Sequence, residues 1–193
     1  MALECSVTRA PALLKRLRPV ARHIAALKTR ASAAGIPAVY VNDNFGEWQS
    51  NAESLVKRCA RATQPGAEIV RQLAPAKDDY FVIKPRHSGF FASGLDALLA
   101  YIGASRLIIT GVSSHQCVLF TANDAYVREY DLKIPRDCVA APTADQHRLA
   151  LRYFDMVLGA DTRLSSHLRH WKSRKRRVPA HTGRAVSGLT APR

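Results

Sequence analysis

The chain has 193 residues, 47% of them hydrophobic and 23% charged, which suits one domain with a sizeable buried core. Lys or Arg breaks every apolar run well short of the roughly 18 residues that a membrane-spanning helix needs, so a soluble, cytoplasmic protein with no membrane partner is expected. The net charge of +14 does not define a nucleic-acid binder: eight of the 29 Lys and Arg, and none of the 15 Asp and Glu, fall in residues 167–193, so more than half of the excess belongs to a tail.

The first nine residues, MALECSVTR, contain neither an apolar strand pattern nor an Asp. Leu13, Leu17, Val20, Ile24, Leu27 and Ala31 then recur at alternating steps of four and three, one stripe along a core-facing helix. Gly35 suits the left-handed position past a helix end, and Pro37 opens an extended stretch over residues 38–41. Residues 42–50 read as a polar-aromatic loop.

The alternation continues. Tyr80 to Ile83 reads as a strand, residues 85–94 as a second long loop, residues 95–103 as a helix ending at Gly103, and RLIIT from Arg106 as another buried strand. A helix follows over residues 117–130, then LKIP, then a helix over residues 143–158 capped by Thr143. Strands and helices in this order predict an α/β fold with a parallel sheet and helices on both faces. Both long loops would lie at the carboxyl ends of the strands, where such sheets bind ligands.

The tail has almost no large apolar side chains and is expected to be disordered. Its basic run, residues 169–177, offers at most a weak, salt-sensitive contact with nucleic acid. Cys5, Cys59, Cys117 and Cys138 are widely spaced, without the paired spacing of a zinc site, and a reduced compartment fits them best.

Two residues stand out chemically. Cys117 follows a buried strand and the small-residue turn GVSSHQ and then opens a helix, where exposed N–H groups and the positive helix end favour a thiolate. Position alone weighs equally for a buried structural cysteine. Lys84 ends the strand YFVI at the same carboxyl edge, where its amine would stabilise a thiolate or an oxyanion, or else be an ordinary solvated lysine.

Residues 82–151 resemble the isochorismatase-like hydrolases. The marks are the Lys of KPRHSGF, the turn GVSSHQC with cysteine six residues after Gly111, and TANDAYVREYDLKIPRD behind it. The similarity in pattern reaches back to about Ala10. The resemblance implies a three-layer Rossmann-like fold with a mainly parallel sheet. It implies Cys117 as nucleophile on an amide-like carbonyl, Lys84 beside it, a cis bond between Val112 and Ser113, and an oxyanion hole made by the N–H groups of Ser113 and Cys117.

It also implies an aspartate at the end of a first strand, ahead of the first helix. Here that strand is absent or replaced, and Glu4, the one carboxylate ahead of the helix, lies too close to it. Nicotinamidases of the family bind a metal through Asp and His soon after the second strand. This chain offers Asp43 but no His before His87 past that point, so neither a metal nor another cofactor is expected. Isochorismatases proper lack the cysteine, so Cys117 points away from vinyl-ether hydrolysis.

The expectation is therefore an atypical N-terminus over residues 1–9, a cysteine hydrolase domain over residues 10–166 and a basic tail over residues 167–193. The domain would act on a small amide or ureido compound, as a homo-oligomer, with activity impaired in this form. The alternative is a non-catalytic relic kept as a binding or subunit-interaction module. Phe45, Trp48, Phe90 and Phe91 either wall the pocket or pack the loops, and His87 is either a pocket group or a surface histidine.

Overall fold

The computed structural model describes residues 11–49, 51–61 and 63–168. The nine N-terminal residues, with Glu4, and the basic run of the tail lie outside them. Helix α1 spans Pro11–Ala33 and buries Leu13, Leu17, Ile24 and Leu27 of the stripe that the spacing predicts, with Ala21 buried beside them and Val20 and Ala31 only partly covered. Pro19 sits inside it on the exposed side, where water can bond the carbonyl left without an N–H partner. Gly35 at φ +70° ends the helix, with the Ile36 N–H donating back to the Ala31 carbonyl at 2.9 Å.

Strand β1 (Val39–Asp43) pairs in parallel with β2 (Tyr80–Lys84), so that Asp43 lies beside Lys84. Between them come two helices that the hydrophobic pattern does not reveal, α2 (Ala52–Cys59) and α3 (Ala67–Gln72). Asn51 and Ser54 close a reciprocal cap on α2. Cys59 is disulfide-bonded, which departs from the reduced set of thiols suggested by the cysteine spacing.

After α4 (Leu95–Tyr101), β3 (Arg106–Ile108) and β4 (Gly111–Val112) run on in sequence. They pair in parallel with β5 (Asp131–Lys133) and β6 (Val139–Ala140) respectively. Helix α5 (Cys117–Val127) links the two pairs, and α6 (Ala144–Met156) follows, with Thr143 accepting from the Gln146 N–H at 3.2 Å as its cap.

Alternation along the strands divides the core in two. Tyr40, Phe81, Ile108 and Val112 pack on the side of α1, while Val39, Val41, Val82, Leu107 and Ile109 pack on the side of α4, α5 and α6. Two apolar clusters on opposite faces of parallel strands make a three-layer fold.

Among the described residues, β1 pairs with β2 alone and β3 with β5 alone. A cleft of about 400 Å³ separates β1 from β3 and is lined by Ala38, Val39, Tyr40 and Val41 on one side and Arg106, Leu107, Ile108 and Ile109 on the other. Successive residues of a strand point to opposite faces, so a cavity touched by consecutive residues meets the edge of each strand rather than a face. Helix α1 covers it with Ile24, Leu27 and Ala31, and α4 and α5 with Leu95, Leu99 and Val118.

Candidate active site

The carboxyl edge of the strands carries the chemistry. Lys84 ends β2 and is only 2% exposed. An ammonium so deeply buried needs partners for its three N–H groups. It donates to the Arg86 carbonyl at 2.9 Å, to Asp43 Oδ2 at 3.1 Å and toward Cys117 Sγ at 3.6 Å. Asp43 ends β1 directly across the ladder, and its other oxygen accepts from the Phe45 N–H at 2.8 Å, holding Phe45 at φ +53°. The Asn44 N–H donates to the Lys84 carbonyl at 2.9 Å, which ties the first loop to the second strand.

Cys117 is 7% exposed and opens α5. Its Sγ lies 3.7 Å from Nδ1 of His87 as well as facing Lys84. The turn that delivers it is well anchored. Gly111 takes φ +113°, a conformation costly for any residue with a Cβ, and the Val112–Ser113 peptide bond is cis. The Ser114 N–H donates to the Ala140 carbonyl at 2.6 Å, and the Ser113 carbonyl accepts from the N–H groups of Gln116 and Val118 at 3.0 and 3.2 Å.

The second loop is pinned onto α5 just past His87. Ser88 Oγ donates to Asp124, and the Gly89 N–H donates to Thr121 Oγ1 at 2.8 Å. A Cβ on Gly89 would lie 3.0 Å from Leu95 Cδ2 and 3.1 Å from Val41 Cγ1, so any larger residue would have to push these side chains aside by a few tenths of an ångström. The His87 ring stacks on Phe120 with centroids 5.5 Å apart. Burial, then the proximity of the His87 imidazole, holds His115 below the usual histidine range, and the buried Nδ1 of His115 has no hydrogen-bond partner.

Cys117 and Lys84 thus come together, and the structure adds Asp43 and His87 to them. Asp43 enters the sequence reading only as a metal ligand lacking its histidines; the parallel register of β1 on β2 places it beside Lys84. The loop aromatics do not line the cleft. Trp48 is 80% and Phe91 56% exposed, while Phe90 packs in the core against Tyr130 and under Arg128. Among the described residues, no three His, Cys, Asp or Glu gather as a metal set.

Comparison with known proteins agrees with this architecture. The Isochorismatase domain family matches residues 5–162. An uncharacterized isochorismatase family protein of Bacillus subtilis, YaaI, is 38% identical over 149 residues, covering 77% of this chain and 81% of that protein. A ureidoacrylate amidohydrolase, RutB, of Acinetobacter baylyi is 26% identical over 72% of this chain and 65% of its own length. The crystal structure of N-carbamoylsarcosine amidase from Thermoplasma acidophilum superposes with a TM-score of 0.64 at 24% identity, over 81% of this chain and 88% of that one, a likeness of fold.

Proposed function

Because this chain belongs to the isochorismatase family, we propose that it hydrolyses a small amide or ureido compound with Cys117 as the nucleophile. One juxtaposition supports this reading. A cysteine at the head of a helix faces a buried ammonium 3.6 Å away, at the carboxyl edge of a parallel sheet. Both the helix end and the ammonium favour thiolate over thiol. Attack on the carbonyl carbon gives a tetrahedral oxyanion, which the N–H groups of Ser113 and Cys117 would receive. Collapse expels the amine, and water then releases the acid from the thioester.

The amide class is supported by the likeness to a ureidoacrylate amidohydrolase, and a thiol nucleophile is compatible with it. Asp43 is engaged by Lys84, which supports a metal-free reaction. Ahead of α1 the sequence offers Glu4 and no Asp, where the family resemblance implies an aspartate, so we read the enzyme as slower than one that carries it: general-base help is typically worth about 10² to 10⁴ in rate.

Acid quench of the protein during turnover of a panel of small amides and ureides, followed by peptide mapping, tests the reading. An acyl adduct on Cys117 and no turnover by Cys117→Ala are expected. Turnover that survives Cys117→Ala would overturn it. A chain that forms no adduct and turns over nothing would stand instead as the non-catalytic module.

A further inference from the structure

We propose that His87 is the group that accepts the Cys117 thiol proton, so that the nucleophile works as a cysteine–histidine pair with Lys84 as its fixed cation. The inference rests on the reading of Cys117 as nucleophile and adds a residue to that site. Nδ1 of His87 is 3.7 Å from Sγ, and the loop holds it there from both sides. On one side the Arg86 carbonyl is bonded to Lys84, and on the other Ser88 and Gly89 are bonded to α5. The stack on Phe120 leaves the ring little freedom to turn away.

A neutral imidazole can take a proton near neutral pH, where an ammonium already bearing its proton cannot. Among the described residues, the thiol faces His87, Lys84 on β2 faces the same thiol, His115 on the turn lies near His87, and Arg86 precedes His87 in the loop. Asp43 reaches the cluster only through Lys84. The step balances as follows. The Sγ–H proton moves to Nδ1, and the thiolate electron pair forms the bond to the carbonyl carbon. The C–N bond breaks on collapse, and the imidazolium returns its proton to the leaving nitrogen. In the second half His87 takes a proton from water as the oxygen attacks the thioester, and gives it back to the departing sulfur.

Alkylation by iodoacetamide between pH 5 and 9, with the adduct mapped by mass spectrometry, tests this on the full chain. Burial, then the Asp137 charge, pushes the Cys138 thiol up to about 12, so Cys138 adds little label in this range, and the mapped adduct on Cys117 is read by itself. An ordinary thiol is about 1% thiolate at pH 6.5. The wild type should react there at least tenfold faster than an unstructured peptide thiol, and His87→Asn should lose most of that advantage. His87→Phe, which keeps a ring on Phe120 without a proton acceptor, should lose it equally.

If the wild type is fast and both variants superpose on it, the assignment of His87 is overturned while the Cys117 reading stands. A loss in His87→Asn that His87→Phe does not share would make the ring a packing group and also overturn it. A wild type no faster than the peptide thiol overturns the nucleophile and the pair together.

Discussion

The cleft between β1 and β3, seen among the described residues, makes a quantitative prediction about what a strand placed in it would do. It holds about 400 Å³ between two strand edges and two helix layers. Cavities cost about 24 cal/mol per Å³, so filling this one is worth at most about 10 kcal/mol. Ordering five further strand residues takes back about 1 to 2 kcal/mol each, leaving a net gain of a few kcal/mol. Replacing residues 1–9 with an apolar strand that ends in Asp should deliver that gain, because the insert can pair with both edges and bury side chains under α1 and under α4. For a domain of this size 1 kcal/mol moves the melting temperature by about 2 to 4 °C, so a rise of roughly 5 to 10 °C is expected by calorimetry. Hydrolysis of the amide panel should rise with it, since the new carboxylate would lie at the carboxyl edge near Cys117. Cys117→Ala in the extended protein must remain inactive. An extended protein with unchanged melting temperature and unchanged turnover would refute the reasoning that the cleft takes a central strand.

Two further outcomes follow from ion pairs, one at the site and one at the end of β5. Lys84→Met removes the cation from Sγ and leaves Asp43 without its ammonium, so Cys117 alkylation should slow about tenfold and stability fall by about 1 to 3 kcal/mol. Adding Asp43→Asn should recover the melting temperature but not the alkylation rate, and recovery of both would show that Lys84 acts on packing alone. Arg163, and then Lys133, hold the Asp161 carboxyl well below the usual carboxylate range. A depressed carboxyl contributes stability that is present above the ordinary value near 4 and is lost as pH falls through the folded value. Asp161→Asn should therefore lower the melting temperature at pH 7 and lower it clearly less near pH 2. An equal loss at both values would show that the ion pairs are not the cause.

How much of this could be read from the residues depends on how far apart in sequence the causes lie. Helix α1 and strands β1 and β2 are legible because each is set by a local pattern: a stripe of steps three and four, or an apolar run bounded by turns. Helices α2 and α3, with eight and six residues, are too short for a period to stand out, although Asn51 and Ser54 spell the cap of α2. Strands β4 and β6 have two residues each and exist only as a ladder between distant segments.

The same distinction orders the site. Cys117 is legible because a strand, a small-residue turn and a helix start are consecutive, and they put a thiol at the helix end whatever surrounds it. Lys84 needs only the strand that it ends. The Asp43–Lys84 pair needs the register of β1 on β2 across 41 positions, which sequence order allows but does not impose. The contact of His87 with Cys117 needs more. It requires Gly89 to pass between Leu95 and Val41, Thr121 to receive the Gly89 N–H, and Asp124 to receive Ser88, three tertiary conditions that leave no periodic trace. A loop histidine in sequence is therefore ambiguous between surface and site. It is decided by the residues on α5 that hold the loop down, and Thr121 and Asp124 are as much a part of the placement of His87 as the loop itself.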